Sequence, residues 1–347
     1  MVRIFCESIY RETIECFIDV RRNAKCDVYR ISGKRLESNL CAGAIAVHNR
    51  LRPDMSTAQR NVISTEELKE AEMSKLSRFV KRKKMAARRR IWKSFHDYSP
   101  NARTMFILGA QRSGTTILIK CLNENMQMEI FGEASRAMED WRLRDIHVVQ
   151  SLIRGSRCKA VIFKPLTESH RAHELLSVTK DPIICWAYRR AADRANSAVK
   201  RFGANNLEHL SALIKGNRLG TWQAQGMSEQ SLELLRKFDY SSMTPHSAAG
   251  LFWYIRNALF FEQSLDKEKL VIPLAYEDLV ADPTRVVGGL CELLNCDFSE
   301  KMVQGIHSKS VGLSESRLAP EIEEICQEMY ERLHEAQVSR WSQLGLD

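Results

Sequence analysis

The chain has 347 residues and a formal net charge of +9, with 44% hydrophobic and 27% charged residues, an ordinary globular balance with room for one large α/β domain plus an appendage. No window approaches the ~18 uninterrupted apolar residues of a membrane span. Met1 to Val20 carries Arg3, Glu7, Arg11, Glu12, Glu15 and Asp19, which excludes a signal-peptide apolar region, so a soluble, cytoplasmic protein is expected.

Residues 1–63 show short apolar groups (Ile14, Phe17 and Ile18; Ala42 to Val47) without a sustained period and form a first region of unclear structure. Ser64 followed by Glu67 has capping-box spacing, and Thr65 to about Phe95 contains neither Gly nor Pro, which predicts a long helix. Residues 64–100 are therefore read as a helical extension and linker, ending at Pro100. Between Lys75 and Lys93 lie ten basic residues and no acid, so the charge excess belongs to this segment. The run is either a solvated helix face or an attraction site for an anionic surface or polymer such as nucleic acid, membrane or acidic polysaccharide. Aromatic residues are sparse within it, which gives base stacking little support.

From residue 101 onward short apolar runs alternate with helical patterns. Met105–Leu108, Met128–Phe131, Ala160–Phe163, Ile183–Tyr188 and Leu270–Ala275 predict five strands, and the alternation predicts an α/β fold with a parallel doubly wound sheet. Ligands of such sheets bind beyond the carboxyl ends of the strands. The residues at those ends are Gly109 to Thr116, Glu133, Lys164 and Arg189. The helical patterns at Leu207–Ile214 and Ser228–Phe238 are expected to shape a substrate pocket. Ten cysteines are scattered without a C-x-x-C pair or a His/Cys cluster at metal spacing, so reduced thiols and no metal are expected.

The first strand runs into Gly109-Ala110-Gln111-Arg112-Ser113-Gly114-Thr115-Thr116 and then a helix. Strand, glycine loop and helix in that order cradle an anion, with inward N–H groups and a favourable helix dipole. Arg112 adds a fixed charge, and Ser113, Thr115 and Thr116 add hydroxyls. Gly109 and Gly114 have the spacing of the nucleotide-triphosphate loop G-x-x-x-x-G-K-[ST], but Thr115 stands where its lysine belongs. No apolar run ends in an aspartate suited to Mg²⁺, so a P-loop kinase or NTPase is the weaker alternative. A non-catalytic anion-binding or scaffold protein is another.

The order Arg112-Ser113-Gly114-Thr115-Thr116 resembles the 5′-phosphosulfate loop of sulfotransferases that use PAPS (3′-phosphoadenosine 5′-phosphosulfate). A second segment, Tyr188 to Gly203, resembles the family's 3′-phosphate motif, with Arg189 at a strand end and Ser197 eight residues later. Here Arg190-Ala191 follows where the common family version has x-Pro. A third, Tyr276-Glu277-Asp278-Leu279 with Asp282-Pro283, resembles the segment after the family's last core strand, with Trp253 and Asn257 on the helix before it. These residues are expected to be structural.

The resemblance covers about Thr104 to Gln337 and is nearer the bacterial and carbohydrate-type members than the cytosolic small-molecule type. It implies a P-loop-like sulfotransferase domain over 101–347 that moves a sulfuryl group from PAPS to an acceptor hydroxyl of a carbohydrate, lipid or small metabolite, releasing adenosine 3′,5′-bisphosphate. By the same resemblance Arg112, Ser113, Gly114, Thr115 and Thr116 hold the 5′-phosphate, Arg189 and Ser197 hold the 3′-phosphate, and no metal is needed. Lys164-Pro165-Leu166 lacks the histidine that small-molecule sulfotransferases use after the third strand. Glu133 fits the place of the glutamate base in other members, with His170 and Glu168 in reserve and Lys164 as an assistant to the sulfuryl group. His307 to Gly312 loosely matches the loop that closes over the nucleotide.

Overall fold

The computed structural model describes residues 29–31, 34–36, 85, 87–89, 91–92, 94–95, 102–165, 167–217, 221–306 and 315–346. The chain divides into two compact units, residues 1–78 and 79–347. In the first, strands β1 (Tyr29–Ile31) and β2 (Lys34–Leu36) pair antiparallel, Tyr29 opposite Leu36. Most of the helix expected over 65–95 lies outside the described residues. Positions 85, 87–89, 91, 92 and 94, all in the second unit, are helical.

The second unit is built on a parallel sheet of five strands in the order β4-β7-β3-β8-β9. These are β3 (Arg103–Gly109), β4 (Met128–Phe131), β7 (Ala160–Phe163), β8 (Ile183–Tyr188) and β9 (Val271–Ala275). They coincide with the five apolar runs to within two residues at each end. A small antiparallel hairpin, β5 (Met138–Glu139) and β6 (Arg142–Leu143), sits between β4 and β7 in sequence.

The runs are continuously apolar because both faces of the sheet are covered. Alternate side chains of β3 go to opposite cores. Phe106 and Leu108 join Phe163, Ile184, Trp186 and Tyr188 on one side, while Met105 and Ile107 join Ile162, Ile183, Cys185 and Ala187 on the other. The second core is closed by α1 (Thr115–Asn123) and α9 (Pro283–Leu293), through Leu118, Leu122, Val286, Val287 and Leu290.

The first core is closed by α2 (Ile146–Arg154), α5 (Asn205–Ile214), α7 (Pro245–Glu262) and α10 (Pro320–Gln343). Between them run the short α3 (Ala172–Leu175), α4 (Ala191–Phe202), α6 (Glu229–Arg236) and, after β9, α8 (Tyr276–Ala281). Helix α10 was not expected from the sequence. Pro320 occupies its first turn, and Ile322, Cys326, Met329 and Leu333 form its buried stripe.

Two polar ties lock this frame. Trp186 Nε1 donates to Asn257 Oδ1 at 3.1 Å, and Asn257 Nδ2 donates to the Trp253 carbonyl at 3.0 Å. Gln337 of α10 accepts on Oε1 from Tyr188 Oη (2.8 Å) and the Ala275 N–H (2.7 Å), and donates through Nε2 to Asp278. A buried amide with all its partners present fixes register as well as energy.

The six described cysteines are free and buried, and burial raises the Cys185 and Cys326 thiols to about 12. No described helix is long and apolar enough to cross a membrane.

Candidate active site

The strand order reverses around β3. The chain leaves β3 for β4 and β7 on one side, then returns to β8 and β9 on the other. The crevice beyond the carboxyl ends of β3 and β8 is therefore the switch point where α/β sheets bind ligands. The loop after β3 and Arg189 after β8 both open there.

The loop is wound tightly. Arg112 (φ +72°) and Gly114 (φ +79°) are left-handed. For an arginine that conformation costs of order 1–3 kcal/mol and has to be over-determined by its surroundings. Both glycines are required by close approach. A Cβ on Gly109 would lie 2.1 Å from the Ala187 carbonyl oxygen of β8, and one on Gly114 would lie 2.2 Å from Cδ2 of Tyr276. Gly114 caps α1 without a side chain, so the first N–H groups of the helix have no capping oxygen. Ser113 is 2% exposed, and its hydroxyl has no hydrogen-bond partner among the described residues.

Contacts from three further elements reach this loop. Arg112 Nε donates to Ser197 Oγ of α4 at 3.0 Å, which joins the two phosphate-type motifs of the sequence directly. Lys164, at the end of β7, donates from Nζ to Glu133 Oε1 at 2.5 Å and to Thr116 Oγ1 at 3.3 Å. Lys164 is buried and Glu133 half-buried, so the pair lies at the rim of the crevice. Ser169 Oγ accepts from the Gly109 N–H at 3.1 Å. Arg189 is buried, with its guanidinium 4.3 Å from the centroid of the Tyr276 ring and 3.8 Å from Asp193 Oδ2.

The residues singled out in the sequence thus fall into two groups. Arg112, Ser113, Gly114, Thr115, Thr116 and Ser197 meet around the loop, with Glu133 reached through Lys164. Arg189 stands beside them on the far side of Tyr276. The two reserve bases lie deeper. Glu168 is fully buried and receives Arg142 Nε at 2.5 Å, Arg171 Nη1 at 2.9 Å and Thr167 Oγ1 at 2.8 Å. Burial alone would raise its pKa, but these hydrogen bonds outweigh it and hold the carboxyl below the usual range. That suits a structural anion. His170 is half-buried, and burial lowers its pKa. The segment His307 to Gly312 lies outside the described residues.

One residue was missed. Arg194 of α4 is 0% exposed and donates from Nε to the Gln111 carbonyl (3.0 Å) and from Nη1 to the Ala249 carbonyl of α7 (2.8 Å). Its guanidinium also lies 5.2 Å from the Phe252 ring centroid. Burial, with the charge of Arg112 nearby, lowers its pKa to about 9, which leaves it charged at neutral pH. In the sequence it reads as one more arginine on an amphipathic helix, and no local pattern marks it as buried.

The profile of the sulfotransferase domain family matches residues 102–342. A comparison with curated protein sequences gave no match. Among solved structures, the sulfotransferase from Alicyclobacillus acidocaldarius is 18% identical, covering 72% of this chain and 98% of that one, with a TM-score of 0.38. The sulfotransferase domain from the curacin biosynthetic pathway is 16% identical over 69% of this chain and 99% of that one, with a TM-score of 0.38. A mouse sulfotransferase complexed with PAP is 16% identical over 71% and 84%, with a TM-score of 0.32. With the family match spanning the whole sheet and every element around the crevice, the chain belongs to the sulfotransferase domain family.

Proposed function

We propose that the protein transfers the sulfuryl group of PAPS to an acceptor hydroxyl and releases adenosine 3′,5′-bisphosphate. The observation that carries this reading is the 3.0 Å bond between Arg112 and Ser197. It unites a loop built for one phosphate-like group with a helix built for another, as a donor with phosphates at both ends of its ribose requires. The buried, unpartnered Ser113 hydroxyl and the uncapped start of α1 fit the 5′-end. Arg189 can grip the 3′-phosphate with the edge of its guanidinium while its face lies on Tyr276.

PAPS, when bound, supplies the sulfuryl group and a phosphate leaving group. Glu133 takes the proton of the acceptor hydroxyl as the new O–S bond forms. The bond from sulfur to the bridging oxygen breaks, and its electron pair stays on the 5′-phosphate. Arg112 and the N–H groups of Gly114, Thr115 and Thr116 meet the charge that develops there. Lys164 donates to both Glu133 and Thr116, and this supports the role by keeping the carboxylate close to the loop.

Calorimetry tests this with adenosine 3′,5′-bisphosphate against ATP with Mg²⁺, on wild type and Arg189→Ala. The bisphosphate should bind in the micromolar range and weaken in the variant. A preference for Mg-ATP would overturn the reading.

A further inference from the structure

We propose that the segment 85–95 carries a docking face for the surface of an anionic lipid membrane. This goes beyond the donor-site reading and does not depend on it. Among the described residues five large hydrophobic side chains are exposed, and two of them, Ile91 (54%) and Phe95 (82%), stand four positions apart here. The turn continues through both. The Ile91 carbonyl accepts from Ser94 Oγ at 2.7 Å, and the Trp92 carbonyl accepts from the Phe95 N–H at 3.1 Å. Positions four apart share a helix face. Ala87 and Arg88 are exposed as well, whereas Met85, Arg89 and Trp92 are half-buried. Residues 87, 91 and 95 thus form an open apolar stripe.

The opposite side of the segment is taken. Arg89 donates to the Asn123 side chain and to the Asn123 and Asn125 carbonyls, at the end of α1 away from the crevice. A segment tied down along one side cannot enter a groove that wraps a helix, so its open side suits a flat partner. The stripe and the crevice lie at opposite ends of α1.

Charge selects which flat surface. Ten basic residues and no acid lie between Lys75 and Lys93, and Arg88, next to the stripe, is exposed. Anionic headgroups attract such a run by about fivefold in affinity for each basic residue near the surface. The apolar stripe can then enter the boundary between headgroups and acyl chains. A lipid surface uses both features at once. Nucleic acid is held through its phosphates and offers an exposed isoleucine little to bury against, and Phe95 alone makes no row for bases to stack on. A second copy of the segment would bring like charges together.

The experiment is sedimentation of the full chain with lipid vesicles at about 0.15 M salt. One set is phosphatidylcholine alone, and the other carries about one-third phosphatidylserine. The proteins are wild type, the double variant Ile91→Ser with Phe95→Ser, and Arg88→Gln. All three side chains are exposed, so thermal melting should be unchanged. Wild type should bind the anionic vesicles at least about tenfold more tightly than the neutral ones. The double variant should weaken that binding about tenfold, and Arg88→Gln about two- to fivefold. A double variant within about threefold of wild type would overturn the proposal, as would equal binding to neutral vesicles or no binding to either. Duplex DNA or heparin that binds wild type and the double variant alike, and more tightly than the vesicles, would assign the basic run to a polyanion and overturn it as well.

Discussion

Arg194→Met separates the stability of the fold from the placement of the loop. In the native protein a fully buried guanidinium holds the Ala249 carbonyl on one side and the Gln111 carbonyl on the other. Methionine fills similar space and donates nothing. The Ala249 carbonyl keeps its place in the hydrogen-bond ladder of α7, so the loss there is one charge-assisted hydrogen bond, about 1.5–3 kcal/mol. The Gln111 carbonyl is only partly buried and can turn to water, so it adds less. Against this, the substitution releases a buried charge whose desolvation penalty is several kcal/mol. The opposing effects leave a net stability loss of about 0–2 kcal/mol.

Nucleotide binding has no such compensation. Once Gln111 swings free, the left-handed turn at Arg112 is no longer held, and one charge-assisted hydrogen bond to the ligand, ~1.5–3 kcal/mol, is lost. The bisphosphate should then bind roughly ten- to hundredfold more weakly. Arg194→Lys keeps the charge but lacks the planar fork that spans two carbonyls, so it should also bind poorly. Urea unfolding and calorimetry on the same samples measure the two effects. Bisphosphate affinity within about threefold of wild type, in an Arg194→Met protein shown to be folded, would refute the view that this side chain positions the loop.

Glu133→Gln should lower kcat by about 10²–10⁴ with any acceptor found by screening, while bisphosphate affinity stays nearly unchanged; a parallel loss of both would remove Glu133 as the base. Gly114→Ala combines a methyl group aimed at a buried ring with a positive φ, so a loss of about 2–4 kcal/mol is expected by denaturant titration. Glu168 bears on acid stability. Its folded pKa lies below the ordinary 4.5, so the unfolded chain binds its proton more tightly, and its contribution is present above pH 4.5 and lost as pH falls through the lower folded value. Glu168→Gln should cost about 1–3 kcal/mol at pH 7, since Arg142 loses its carboxylate while Arg171 keeps Glu174, and should flatten the acid limb of the stability curve; an unchanged limb would contradict the assignment.

Much of the second unit was legible because its strands are buried on both faces and therefore appear as unbroken apolar runs with polar residues at their ends. The loop was legible for the same kind of reason, since Gly109 and Gly114 stand where only a bare Cα fits. Arg194 was not. A buried arginine that binds only backbone carbonyls has no acidic partner to betray it. The hairpin β5–β6 escaped notice because its strands are two residues each, too short for alternation to register, and its turn at Asp140 and Trp141 uses left-handed residues without a glycine.

Arg89 alters what should be cut when a smaller protein is made. The family match starts at residue 102. Thirteen positions earlier, Arg89 wraps the far end of α1, donating to the Asn123 side chain at 2.9 Å, the Asn123 carbonyl at 2.8 Å and the Asn125 carbonyl at 3.3 Å. One member of the basic run is thus a helix terminator rather than a solvated charge, and it closes the same helix whose first turn faces the crevice. A fragment trimmed to the matched region would leave those acceptors bare and let α1 fray from its back end. Expression boundaries, crystallisation trials and any protease that nicks the linker all meet this constraint, so the shortest useful fragment should begin upstream of residue 85.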